Sequence, residues 1–296
     1  MTNYNRLNFI SSTVLVLILS IATCSCSKND DTPTPVVIKE ISQEIKDLIY
    51  LSGDEKASTV LVTVAGGPST ELATGLVDYF SENFNTTGIL NVTIHQAQTL
   101  NPNIIEGNDI TLADAINFNA ESIENLYQVI EYFKDEGRTV YVVGFSFGAF
   151  VTQELIAKKG IDVADKYLIV SGRLDINEAF WLGLAGGRDG RFDNGITPII
   201  ETEPFEESFK RNEAKLFAGL IMNRYTMQFN AIESLSSITY IYGKTDEDVG
   251  SLTNEEVSFL ESKNANILFG NGGHDEPFEG FVNQGFSQAF GIELQQ

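Results

Sequence analysis

The sequence predicts an α/β fold built on a mostly parallel, doubly wound sheet. Three observations carry that prediction. Short runs of β-branched and apolar residues recur at 58–65, 89–95, 139–143, 166–171, 237–242 and 265–269, each the length of a buried strand. Stretches with apolar residues at helical spacing fall between them. Glycines and turn residues punctuate the ends of the runs. Such alternation places helices on both faces of a parallel sheet.

Taken in order, residues 40–51 read as a short helix entering an edge strand. STVLVTVA over 58–65 is a buried strand, stopped by Gly66-Gly67-Pro68. A helix is predicted over 70–84, where Leu72, Leu76, Val77 and Phe80 share a face. The strand over 89–95 ends at His95, and a polar connection fills 96–119. A helix over 122–136 carries Ile123, Leu126, Tyr127, Ile130 and Phe133 on one side, with Asn119 as its cap and Gly137 as its stop. The strand from Thr139 runs to Gly144, and a helix follows to Lys159 and Gly160.

After the strand over 166–171, residues 173–235 interrupt the alternation. This stretch is rich in large apolar side chains (Phe180, Trp181, Phe205, Phe217, Tyr225) and has helical character in at least two pieces. It is far longer than a strand–helix–strand link requires. It is expected to form a helical lid insertion that walls a pocket. A strand over 237–242, a helix over 253–261, a strand over 265–269 and a last helix over 280–290 complete the domain, which is expected to span 38–296.

Composition narrows the partners. Lys and Arg number 19 against 41 Asp and Glu, a formal net charge of −22. So acidic a surface argues against nucleic acid and against docking on anionic lipid by charge. The two cysteines, Cys24 and Cys26, both precede the domain, so it has no disulfide framework and no cysteine-ligated metal site. With only His95 and His274, a histidine-rich metal centre is excluded, and any catalytic histidine is one of these two. No metal or organic cofactor is implied.

Residues 1–26 read as a targeting segment. Arg6 supplies the basic start, and an apolar run leads through Ile21-Ala22-Thr23 to Cys24, with Cys26 close behind. The pattern resembles a bacterial lipoprotein signal, in which the cysteine after the cleavage site is lipidated. Ile21, three before Cys24, favours Cys24; the tract Ser27-Lys28-Asn29-Asp30-Asp31 sits closer to Cys26 and resembles the acidic export tract of Bacteroidetes lipoproteins. Either cysteine fits. Residues 27–37, polar and proline-rich, read as a flexible tether. The resemblance implies an extracytoplasmic protein held to a membrane, such as a bacterial outer membrane, by its lipid.

The chemistry-bearing motif is Gly144-Phe145-Ser146-Phe147-Gly148, set between a strand and a helix. There a serine on a sharp turn is lifted clear of the sheet, and the flanking glycines let strand and helix approach closely. Asp246 follows a later strand in Gly243-Lys244-Thr245-Asp246-Glu247-Asp248-Val249, and His274 follows the last strand in Gly272-Gly273-His274. In a parallel sheet these loops share one edge, where ligands bind.

Over about residues 59–290 the chain therefore resembles the α/β-hydrolases, with their Gly-x-Ser-x-Gly, Gly-x-x-Asp-x-x-Val and glycine–histidine loops in the order Ser, Asp, His. The resemblance implies Ser146 as nucleophile, His274 as base and Asp246 as the orienting acid. Asp248 and Asp175 are alternatives for the acid, and His95 is expected to be structural or part of a pocket wall. It also implies an oxyanion hole from the Phe147 N–H and a second donor in Ala65-Gly66-Gly67-Pro68. That loop resembles a His-Gly-Gly-Pro loop with alanine for histidine; Gly67 is the first choice and Gly66 the second. The implied function is hydrolysis of an ester or other acyl bond in a small-molecule or peptide substrate. A prolyl-aminopeptidase-like activity is the other enzymatic option, and a non-catalytic surface binding protein the rival from another class.

Overall fold

The computed structural model describes residues 40–72 and 74–295. The predicted leader and tether, with Cys24 and Cys26, lie outside the described residues. The chain starts with α1 (Gln43–Lys46) and the edge strand β1 (Ile49–Gly53), then β2 (Thr59–Val64), α2 (Gly75–Asn83) and β3 (Ile89–Ile94). A short helix α3 (Asn103–Glu106) and the long α4 (Leu112–Asp135) lead to β4 (Thr139–Phe145), α5 (Phe147–Lys159) and β5 (Lys166–Val170). The insertion holds α6 (Glu178–Ala185), β6 (Arg188–Asp193), β7 (Thr197–Pro204), α7 (Ser208–Ile221) and α8 (Tyr225–Phe229). Last come β8 (Ile238–Gly243), α9 (Asn254–Ser262), β9 (Asn266–Gly270), one π-helical turn and α10 (Val282–Phe290).

Seven strands form the main sheet in the order β1-β3-β2-β4-β5-β8-β9, with only β1 antiparallel. Successive side chains of a strand point to opposite faces, and here both faces are buried. Val60, Val62, Val142 and Ile169 face one core with Leu126, Ile130 and Leu155. Leu61, Val143, Leu168 and Val170 face the other with Phe80, Phe84 and Phe286. This two-sided burial is why the strands read as continuous β-branched runs. Because β2, β4, β5, β8 and β9 are parallel, the loops that leave them open on the same edge.

Two expectations are corrected. The helix predicted over 122–136 begins at Leu112, capped by Thr111 in a capping box with Asp114. Asn119 is therefore not a cap: it is buried within α4, and its Nδ2 donates to Leu216 O at 2.8 Å. The reciprocal Thr111–Asp114 pair satisfies two free N–H groups at the helix start. The insertion is not helical throughout. β6 and β7 form an antiparallel hairpin around Asn194 and Gly195, both at positive φ (51° and 73°). Asn-Gly accepts such backbone readily.

Candidate active site

Ser146 stands between β4 and α5 with φ 51° and ψ −116°, well outside helical or strand geometry. The flanking glycines make that turn possible. A Cβ on Gly144 would sit 2.4 Å from Gly148 O, and one on Gly148 would sit 2.2 Å from Val64 O. Neither position admits a side chain. Ser146 N–H donates to Val170 O at 2.9 Å, tying the turn to β5. The hydroxyl makes no hydrogen bond among the described residues and stands at the wall of a cavity. Phe147 also lines this cavity, whereas Phe145 packs on the other side of the sheet against Phe80 and Phe278.

The loop after β8 carries the acid. A Cβ on Gly243 would meet Gly273 O at 2.1 Å, so glycine there brings the acid loop against the histidine loop. Asp246 is fully buried. Its Oδ1 accepts the N–H groups of Asp248 (2.9 Å) and Val249 (3.0 Å), and its Oδ2 pairs with His274 Nδ1 at 2.8 Å. Burial disfavours the charged imidazole. The hydrogen bond to Asp246 and the charges of Asp246, Asp248 and Asp275 outweigh that cost and hold the His274 pKa above the ordinary imidazole value. The histidine loop is closed by the Gly272 N–H, which donates to the Glu276 carboxylate.

The alternatives separate clearly. Asp248 is exposed and lines the cavity. Asp175 is engaged by Arg224 and by the Thr226 hydroxyl and N–H, and makes no bond to His274 among the described residues. His95 is buried, and its Nδ1 lies 3.0 Å from Leu48 O, beside β1. One ligand atom each from Asp246, Asp248 and His274 fall within 4.8 Å of one another, close enough to grip a cation. Both Asp246 oxygens are already taken by the imidazole and two backbone N–H groups, so the cluster is built as an acid–imidazole pair.

The cavity measures about 390 Å³. Gly67, Ser146, Phe147 and His274 lie on its body side, and Leu184, Phe205, Ala214 and Phe217 of the insertion form an apolar wall. Asp189, Glu213, Lys210 and Asp248 add charge, with Lys210 paired to Glu213 at 2.9 Å. Gly66 sits beside the serine, where a Cβ would lie 3.6 Å from Ser146 Cβ. The structure thus gathers Ser146, Asp246, His274, Phe147, Gly66 and Gly67 at one sheet edge. Two neighbours carried no sequence signal. Ser171 Oγ donates to His274 O at 2.8 Å, and Gln96 bonds the Gly66-Gly67 loop. Neither lies in a motif; only strand register brings them there.

No protein-family model and no curated protein matches the sequence. Solved structures do. MGS-M2, an alpha/beta hydrolase enzyme from a Medee basin deep-sea metagenome library, aligns over 81% of this chain and 92% of its own, with TM-score 0.52 and 13% identity. EaEST, an esterase from Exiguobacterium antarcticum, aligns over 81% and 92%, with TM-score 0.50 and 10% identity. At such identities the likeness is one of fold, and the fold of this chain is that of the α/β-hydrolases.

Proposed function

We propose that the chain is a serine hydrolase that cleaves an ester or related acyl bond through an acyl-enzyme. The observation that carries this reading is the His274–Asp246 pair, at 2.8 Å, behind a cavity whose wall also presents Ser146 on its strained turn. Asp246 fixes the imidazole with its proton on Nδ1, leaving Nε2 free to accept. His274 takes the Ser146 proton as the hydroxyl attacks the acyl carbon, then gives it to the leaving group. The oxyanion is met by the Phe147 N–H and by Gly67, with Gly66 as the other candidate. Water then enters by the same base catalysis and frees the acid. Every role falls to a side chain or backbone group of this chain.

A second reading, a peptidase that removes an amino-terminal residue, draws on the charged part of the cavity. Asp189, Glu213 and Asp248 outnumber Lys210 there, which suits a substrate bearing an ammonium group. A panel of acyl esters and aminoacyl amides of graded size separates the two readings.

A fluorophosphonate probe tests the reaction class. Wild type is expected to label at Ser146, and Ser146→Ala to fold without labelling. A folded wild type with no Ser146-dependent labelling returns the chain to a non-catalytic binding role. We also propose lipid attachment at Cys24 or Cys26, supported by the apolar leader and the residues before each cysteine. Metabolic labelling with a fatty acid, lost in one of Cys24→Ala and Cys26→Ala, is the expected result; label retained in the double variant refutes it.

A further inference from the structure

The loop that would supply the second oxyanion donor has alanine where similar loops carry histidine. Ordering of that loop therefore has to come from another residue. We infer that Gln96 is its positioning residue, a clamp that sets the peptide planes of Gly66 and Gly67. The inference rests on the serine-hydrolase reading.

Gln96 lies just past β3. β3 runs parallel to β2 with Ile94 opposite Val64, so a residue just past β3 falls beside the loop leaving β2. The residue is 2% exposed. Its Nε2 donates to Ala65 O at 3.0 Å and to Gly66 O at 3.2 Å, and its Oε1 accepts the Ser69 N–H at 3.0 Å. One amide thus holds the loop at three points. Thr99 adds a fourth, its hydroxyl donating to Ser69 O at 3.1 Å.

The geometry of the peptide unit gives the clamp its consequence. In a planar trans peptide, C=O and N–H point in opposite directions. The Ala65–Gly66 and Gly66–Gly67 bonds are trans. Holding the Ala65 carbonyl on Gln96 turns the Gly66 N–H away from Gln96. Holding the Gly66 carbonyl does the same for the Gly67 N–H. Neither of these N–H groups, nor that of Phe147, donates within the fold among the described residues. Rotation of either peptide would break a bond to Gln96 and bring a carbonyl oxygen round in place of a donor. Gly67 is at φ 153°, and a Cβ on it would lie 2.6 Å from Ser69 N and 3.1 Å from Gln96 Oε1. The amide therefore packs directly under the glycine it orients.

Three variants and one structure test the inference on the full chain. Gln96→Ala removes all three bonds to the loop, and with them the one Gln96 accepts from Gln98. Gln96→Met keeps the length without the bonds. Gln96→Glu keeps the acceptor for Ser69 and loses both donors. All three are expected to lower kcat on a neutral acyl ester by about 10²-fold, the scale of one lost oxyanion donor. KM and the pH midpoint set by His274 should stay within about twofold and a few tenths of a unit, because neither the apolar wall from the insertion nor the triad is touched. A purely structural role would instead move KM, the pH profile and the melting temperature together. Folded variants that keep kcat within threefold of wild type overturn the inference, as does a loss confined to KM. The structure of wild type phosphonylated on Ser146 does not depend on any variant folding. There the phosphonyl oxygen is expected within hydrogen-bond reach of Gly67 N or Gly66 N, with Gln96 still on both carbonyls. Placement of that oxygen on neither N–H overturns the inference. Wild-type labelling at Ser146 tests the hydrolase reading separately, so a failed clamp and a failed hydrolase give different results.

Discussion

Two neighbouring strands end alike and do different things. β4 ends at Ser146 with φ 51°, and β5 ends at Ser171 with φ 52°. Each serine N–H donates 2.9 Å to the next strand along, Ser146 to Val170 O and Ser171 to Ile241 O. Left-handed backbone at a non-glycine residue costs about 1–3 kcal/mol, and the fold accepts that cost twice, side by side. The surroundings divide the roles. Ser146 opens α5 and faces the cavity, and its hydroxyl makes no hydrogen bond among the described residues. Ser171 is buried, and its hydroxyl is spent on His274 O. A strained serine is therefore not a nucleophile by its backbone alone. On our reading access to the cavity makes the difference: one turn carries the reaction while the other braces its base.

The predictions test that division, beginning with the largest effect. Ser146→Ala is expected to reduce kcat by about 10⁶-fold with the melting temperature held. Ester turnover retained in purified, folded protein would place the nucleophile elsewhere. Asp246→Asn should cost about 10⁴-fold, since the wrong tautomer of His274 then faces the serine. Asp248→Asn should cost far less; the reverse ranking would hand the acid role to Asp248.

Asp248→Asn has its own signature in a pH–rate profile. Burial lowers the His274 pKa, but the Asp246 hydrogen bond and the charges of Asp246, Asp248 and Asp275 raise it on balance. Only the neutral imidazole can accept the serine proton, so activity falls as pH drops through that raised value. Removing the Asp248 charge should move the acid limb to lower pH. An unmoved limb would show that Asp248 does not act on His274. The smallest effect is at the brace. Ser171→Ala should lose about 1 kcal/mol of stability with its hydrogen bond. Ser171→Gly should lose less, because glycine adopts this φ freely. Thermal melts that rank the two the other way would deny that the Ser171 backbone is under strain.

Much of this was legible in the sequence, for physical reasons. The buried strands announce themselves because both of their faces must be apolar. Gly144, Gly148 and Gly243 are legible because contacts under 2.5 Å leave no room for a side chain. The start of α4 was hidden by polar residues that satisfy a solvent-facing helix and a loop equally, although Thr111 and Asp114 held the capping signal. The hairpin was masked by the aromatic content around it, despite Asn194-Gly195 at its tip. Gln96 and Ser171 were not legible at all. Their contacts depend on which strands lie side by side, and a glutamine or serine after a strand has many other uses.

The hairpin has a consequence for anyone redesigning the cavity. Phe192 N–H donates to Glu247 O at 2.8 Å, Ser251 N–H donates to Gly195 O at 2.7 Å, and a Cβ on Gly195 would lie 2.6 Å from Lys244 O. The hairpin is thus seated on the acid loop that holds Asp246. On the α7 side, Phe217 and Ala214 touch the cavity from a helix that packs mainly on α4 and α6 and only lightly on β6. The two walls therefore differ in how directly they bear on Asp246. On the serine-hydrolase reading, reshaping through α7 is expected to disturb the acid loop least, whereas reshaping through β6 and β7 is expected to shift the support of Asp246 as well.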